Sequence, residues 1–166
     1  DPTNEGLEMW SANSGGVRNV KGELIRPTQY EEPTMDGNKR RGMSTNFGIW
    51  WDGDLLRELL DHEAVQKYDW KTGRVNVIKR FDGRFNNGTK SNPCLSGDIL
   101  GDWREEVLVR DAESTMLKLY TTDIPTDHRI TCLMQDVPYR LSIATENVAY
   151  NQPPEPGFYL GVGMKK

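Results

Sequence analysis

Apolar residues along this chain fall in short runs separated by turn clusters, with little sustained helical periodicity. The pattern predicts strands over residues 7–11, 17–21, 47–51, 55–60, 65–68, 75–78, 105–110 and 116–121. Two hairpins stand out. EEVLVR and MLKLYT flank the turn DAEST, with Leu117 and Leu119 alternating about Lys118, and RELLD and AVQKYDW flank Asp61-His62-Glu63. One helix is expected over 138–148, with Asp136 as its cap, Pro138 in its first turn, and Leu141, Ala144 and Val148 on one face. The prediction is an all-β protein with one short helix.

A length of 166 residues allows one real core, and the many Gly, Pro, Trp and Tyr residues agree with a loop-rich β protein. No apolar run approaches the roughly 18 residues a membrane-spanning helix needs. A net charge of −4 argues against nonspecific binding to nucleic acid or to an anionic membrane. The basic cluster Lys39-Arg40-Arg41, after the turn Asp36-Gly37-Asn38, reads as a solvated loop. Cys94 and Cys132 are too few for a disulfide framework; buried free thiols are expected, with one disulfide open to an exported protein. His62 and His128 lie among turn residues without zinc-ligand spacing. The pair Trp50-Trp51 reads as strand core, with sugar stacking as the alternative; Asp52 and Asp54 either cap a turn or bind metal.

The richest stretch is DILGDWREEV, residues 98–107. Asp98, Asp102 and Glu106 surround Gly101, and such a loop suits a hard cation that takes carboxylate, carbonyl and water oxygens. Side chains of Asp98, Asp102 and Glu106, with the carbonyl of Leu100 or Arg104, form the expected calcium set. The spacing is shorter than that of an EF-hand, and a solvated turn without metal is the plain alternative. The opening DPTNEGLEMWS repeats the theme: Asp1 as an inner acid, Gly6 at the turn and Glu8 closing, with a first acid expected before residue 1. The chain therefore reads as a C-terminal piece of something larger, whose preceding part would carry any export signal. Acid loops recurring ahead of strands fit β-propeller blades of about 40–50 residues.

Four motifs in order carry a resemblance: IWWDGDLLRELLD (49–61), NNGTKSNPCLSGDILGDWREEVL (86–108), LYTTDIPTDHRI (119–130) and YRLSIATENVAYNQPP (139–154), before a closing GFYLGVGM. Together they resemble the C-terminal part of bacterial rhamnogalacturonan lyases of polysaccharide lyase family 11. Residues 22–45 do not match, and Thr145-Glu146 departs from the aromatic-Gln pattern expected before NVAYNQPP.

The resemblance implies an eight-bladed, calcium-binding β-propeller, of which residues 1–166 are about two blades at the C-terminal end of the catalytic domain. It implies β-elimination at the rhamnose–galacturonic acid bond of the rhamnogalacturonan I backbone of pectin, in an extracellular or periplasmic protein. Its partners would be that polysaccharide and the remaining blades. In the family pattern the lysine of NNGTK, here Lys90, lies in the cleft as proton acceptor or carboxylate-neutralising group. Asn87, Thr89, Tyr150 and Asn151 are the implied substrate contacts; fastening the final strand is the alternative for Tyr150 and Asn151. An expected partner arginine lies upstream of residue 1. A second reading from another class is a noncatalytic, calcium-stabilised propeller that binds polysaccharide or protein.

Overall fold

The computed structural model describes residues 1–4, 6–11, 14–27, 43–88, 90–148 and 150–164. Thr89 and the basic cluster Lys39-Arg40-Arg41 lie outside the described residues. Among the described residues, nine strands form three antiparallel sheets. The first pairs β1 (Gly16–Arg18) with β2 (Leu24–Pro27). The second runs β3 (Phe47–Ile49), β4 (Glu58–Asp61), β5 (Ala64–Asp69), β6 (Arg74–Arg80) in simple meander order. The third runs β7 (Leu95–Gly97), β8 (Glu106–Arg110), β9 (Leu117–Tyr120). Helix α1 (Val137–Thr145) follows a 3-10 turn at Leu133–Gln135. Among the described residues no helix is long and apolar enough to cross a membrane.

Both expected hairpins form. Leu60 pairs with Val65 across β4 and β5, and His62 and Glu63 both take positive φ (48° and 53°), so two left-handed residues make the tight connection that matches strand twist. In the β8–β9 connection the Asp111 carboxylate accepts the Thr115 and Met116 N–H groups and the Thr115 hydroxyl. Asp136 caps α1 by accepting the Tyr139 N–H at 3.1 Å. The buried face of α1 differs from the expected one: Leu141 and Val148 are over 60% exposed (63% and 62%), while Tyr139 is buried and Ile143 packs beside it. Tyr139 and Ile143 are the helix side chains that join the core. The expected strand at 7–11 reduces to a bridge from Met9 to Arg18, and β2 and β7 were not anticipated.

One core holds the second and third sheets together. Phe47, Ile49, Trp51, Leu60, Val65, Phe81 and Phe85 pack on Val107 and Val109, with Tyr120 at the margin. Phe81 meets Trp51 edge-on at 5.8 Å and Tyr120 at 4.9 Å. A second cluster seats α1 and the C-terminal segment on Trp50 and Trp103 through Leu133, Tyr139 and Leu160. Both members of the tryptophan pair are therefore core, on opposite faces of one strand end, as alternation requires. Cys94 and Cys132 are free and half-buried.

The second and third sheets repeat at a constant interval from their first strand through the closing glutamate, after which the registers diverge, Leu59 pairing with Gln66 but Val107 with Tyr120. Phe47–Ile49 corresponds to Leu95–Gly97, Gly53 to Gly101 (φ +83° and +81°), and Glu58 to Glu106. In each copy the glutamate closes the strand-to-strand loop by accepting two backbone N–H groups seven and six residues back. Glu58 takes Trp51 and Asp52 at 2.7 and 3.2 Å, and Glu106 takes Ile99 and Leu100 at 2.9 Å each. Glu8 accepts from the Asp1 amino group, again seven residues back, at 3.2 Å. The acid loops thus serve first as backbone clasps: a carboxylate gathers amides that the loop leaves unpaired.

Candidate functional site

Residues 86–92 form a loop closed by Asn86 and Asn92, whose N–H and C=O groups bond reciprocally at 2.7 and 3.3 Å. Inside it, the Lys90 and Ser91 N–H groups both bond the Asn87 carbonyl, and Asn87 and Ser91 take positive φ of 54° and 47°. Non-glycine residues in the left-handed region carry strain that surrounding contacts must offset. The offset comes from the segment after α1. Asn87 Nδ2 donates to Asn151 Oδ1 at 2.7 Å, Asn92 and Asn151 donate to Asn147 Oδ1 at 2.6 and 3.0 Å, and Asn147 donates to the Cys94 carbonyl at 2.8 Å. This chain of asparagine amides locks the NNGTK loop to the YNQPP loop.

The consequence is that Lys90 Nζ sits 4.2 Å from the centre of the Tyr150 ring. Tyr150 is 70% exposed. Among the described residues Lys90 has no carboxylate partner, so its charge remains available to a ligand. The structure therefore brings together four of the five residues expected at a substrate site, Lys90, Asn87, Tyr150 and Asn151. Asn151, at 8% exposure, is spent on Asn87 and Asn147 and fastens the loops instead of facing outward. An ammonium beside an exposed ring suits a sugar acid: the ring gives a stacking face and the cation meets a carboxylate. Asn92 and Asn147, which hold this geometry, were not singled out in the sequence; only their position beside NNGTK and YNQPP hints at them.

A groove of about 460 Å³ lies elsewhere, between the first hairpin and the second sheet, lined in part by Trp10, Tyr68, Trp70 and Arg57. Arg57 is committed to Glu155 at 2.5 Å and to the Gly48 and Pro154 carbonyls. Among the described residues the groove offers no uncommitted cation to an acidic sugar, whereas the Lys90 loop does.

The acids of the expected calcium set have the following partners within the chain. Glu106 spends Oε2 on the Ile99 and Leu100 amides and Oε1 on the Thr121 hydroxyl at 3.1 Å. Asp102 pairs with Arg104 at 2.5 Å and also accepts the Arg104 N–H. Asp98 Oδ2 accepts the Leu133 N–H at 2.7 Å, leaving Oδ1 buried and unpartnered. Asp1 is occupied by Thr3 and Asn4, and Glu8 contributes one buried unpartnered oxygen. A cation needs several oxygens converging on one point; of Asp1, Glu8, Asp98, Leu100, Asp102, Arg104 and Glu106, Glu8 and Asp98 each keep one buried oxygen without a hydrogen-bond partner. Among the described residues the carboxylates that do converge are Asp52, Asp54 and Glu58, with ligand atoms within 4.8 Å of one another. Lys67 already stands among them. Burial pushes the Glu58 carboxyl up to about 8 against the pull of Lys67. Burial opposes the Lys67 charge, but Glu58 and hydrogen bonds to Asp54, Glu58 and Asp52 outweigh it and raise the ammonium pKa.

The whole chain, residues 1–166, matches the family described as rhamnogalacturonan lyase family 11, C-terminal domain. It is 47% identical over 165 residues to rhamnogalacturonan endolyase YesW of Bacillus subtilis, covering 99% of this chain and 24% of that protein. It is 43% identical to rhamnogalacturonan exolyase YesX of the same organism, covering 100% of this chain and 28% of the relative. Among solved structures, the Bacillus licheniformis rhamnogalacturonan lyase PL11 superposes with a TM-score of 0.87 at 48% identity, over 99% of this chain and 26% of that one. The YesW crystal structure superposes at 0.86, over 100% of this chain and 26% of that one. The chain spans about a quarter of the length of these relatives. It belongs to the C-terminal domain family of the rhamnogalacturonan lyases of family 11.

Proposed function

We propose that the protein carrying this chain is a polysaccharide lyase that cleaves the rhamnose–galacturonic acid bond of rhamnogalacturonan I, and that Lys90 is this segment's contribution to the reaction. What supports the reading is the meeting of the NNGTK and YNQPP loops, which sets the Lys90 amino group, without a carboxylate partner among the described residues, on an exposed tyrosine face. In β-elimination a base removes the proton at C5 of the galacturonate, the C4–O bond to the leaving sugar breaks, and a C4–C5 double bond forms. No water enters. The proton lies beside a carboxylate and is a very weak acid until that charge is neutralised, because the transition state adds negative charge to the same group. The Tyr150 ring attracts a cation, and this reading gives Lys90 the role of pairing with the uronate. The base then comes from elsewhere in the full-length protein.

Three sheets strung along the chain, two of them sharing a first strand and a glutamate-closed loop at a constant interval, agree with consecutive blades of a propeller whose other blades complete the cleft. A polymer of this size is met outside the cytoplasm, so the protein is assigned an extracellular or periplasmic location.

The test uses the full-length protein on rhamnogalacturonan I and follows the ultraviolet absorbance of the unsaturated uronate. Lys90→Ala should lower kcat/KM by about 10³-fold or more, in the range of a lost transition-state charge partner. Lys90→Arg should keep part of the activity, because a guanidinium pairs a carboxylate but cannot serve as a base. Equal loss in both variants would make Lys90 the base. No absorbance change with the wild-type protein on any pectic backbone would leave the noncatalytic binding propeller.

A further inference from the structure

Three glutamates close equivalent loops, yet the residue opposite each one differs. Leu59 pairs with Gln66, so Glu58 faces Lys67; Val107 pairs with Tyr120, so Glu106 faces Thr121; Met9 pairs with Arg18, so Glu8 faces Asn19. The lysine occurs only where the loop also carries an extra acid. Asp52 corresponds in register to Leu100, and the loop with Leu100 has Thr121, whose hydroxyl meets Glu106 where Lys67 meets Glu58. Acid and ammonium are thus present together in one copy and absent together in the other.

The coordination around Lys67 is that of a cation site. Its Nζ lies 2.9 Å from Asp52 Oδ2, 2.7 Å from Asp54 Oδ1 and 2.8 Å from the Leu56 carbonyl, and it contacts Glu58 Oε1. Three carboxylates from one tight loop plus a backbone carbonyl make up the ligand type that hard divalent cations select. We propose that the Lys67 ammonium is the resident cation of the 52–58 loop, standing where a divalent ion would otherwise sit among Asp52, Asp54 and Glu58, so that a neutral side chain at position 67 converts the cradle into a site for one hard divalent cation such as calcium.

The physical reason for the exchange is charge and distance. Three carboxylates with ligand atoms within 4.8 Å of one another repel when charged, and a cation between them relieves that repulsion. A tethered ammonium supplies that cation at no dependence on ion concentration, and it excludes a metal because a second positive charge would lie within about 3 Å of the first. Glu58 holds the Trp51 and Asp52 amides through its other oxygen, so the cation and the backbone clasp share one carboxylate. The inference concerns the loop alone and stands apart from the reading of Lys90.

The test compares full-length wild-type protein, Lys67→Met, and Lys67→Met combined with Asp52→Leu, each stripped with chelator and titrated with calcium by equilibrium dialysis. The expected result is one more calcium ion per molecule in Lys67→Met than in the wild type, lost again in the double variant, which restores the Leu100 arrangement. Equal stoichiometry in folded wild type and Lys67→Met overturns the proposal. Should Lys67→Met unfold in chelator, circular dichroism decides: recovery of the wild-type spectrum in millimolar calcium supports the exchange, and failure to recover overturns it.

Discussion

Glu146 illustrates what one buried acid does to the pH response. It is buried beneath α1, and both its oxygens accept the Ser96 N–H, at 3.0 and 2.9 Å, while one also accepts the Ser96 hydroxyl at 2.7 Å. Burial raises its pKa to about 7 against the opposing hydrogen bonds. Between an unfolded value near 4.5 and about 7 the folded chain binds more protons than the unfolded one. Stability from this group therefore falls as pH rises through that window and is flat above it, by about 2–3 kcal/mol in all. Glu146→Gln should flatten this slope and raise stability at pH 8 by about 1–2 kcal/mol, read from urea unfolding at a series of pH values. An unchanged slope would mean that Glu146 is ionised when folded. Position 146 is also where the sequence departs from the glutamine expected of the family, so the substitution restores a pattern as well as removing a charge. Lys90 and Tyr150 were singled out through the resemblance carried by their contiguous motifs, and the structure sets them side by side. The Asn87–Asn151–Asn147–Asn92 chain was not legible in the sequence, because its members are dispersed polar residues whose function appears only when two loops meet.

At the scale of elements, local signals decided what could be read. Hairpin β4–β5, hairpin β8–β9 and the capped start of α1 all depend on residues within a few positions of one another, and all three form where turn and cap chemistry predict. Strands β2 and β7 are three or four residues long and exist because a neighbour pairs with them, which no local pattern announces. The helix face was misassigned for a similar reason: Leu141, Ala144 and Val148 share a stripe, but Trp50 and Trp103 lie on the side of Tyr139. Asp136 holds more than the cap. Its Oδ2 accepts the Tyr139 N–H and also the Gly157 N–H at 2.6 Å, tying the helix start to the C-terminal segment. Asp136→Ala should cost about 1–2 kcal/mol, more than a cap bonding only its own helix, and Asp136→Asn should recover much of it. Denaturation midpoints of the two variants check this. A loss within error of zero would show that the Gly157 contact contributes nothing.

Over the whole molecule, copied sheets do not behave as independent beads, because the largest core is shared between them. Val107 and Val109 of the third sheet are fully buried against Phe47, Ile49, Leu60 and Val65 of the second. The acid loops reinforce this coupling: Glu105, adjacent to the clasp Glu106, is buried and accepts the Trp50 N–H of the second sheet at 2.8 Å and the Tyr139 hydroxyl at 2.6 Å. Trp50, Glu105 and Tyr139 thus link the second sheet, the third sheet and α1 through one carboxylate whose loss would leave a buried N–H and a buried hydroxyl unpaired. The alternation of apolar residues in EEVLVR announced a buried face but not its partner, since nothing local in β8 specifies that the residues it meets lie in β3, β4 and β5. A shared core makes a defect in one sheet a defect in both. Val107→Ala removes two buried methyl groups and leaves a small cavity, a loss of about 2 kcal/mol. Amide hydrogen exchange of the full-length protein, resolved by peptide, should then accelerate roughly 30-fold in β4 and β5 as well as in β8, since 1.4 kcal/mol is tenfold and the opening is common to both. Acceleration confined to β7–β9 would mean that the third sheet opens alone, and that the copies are joined by their surfaces and not by a common core.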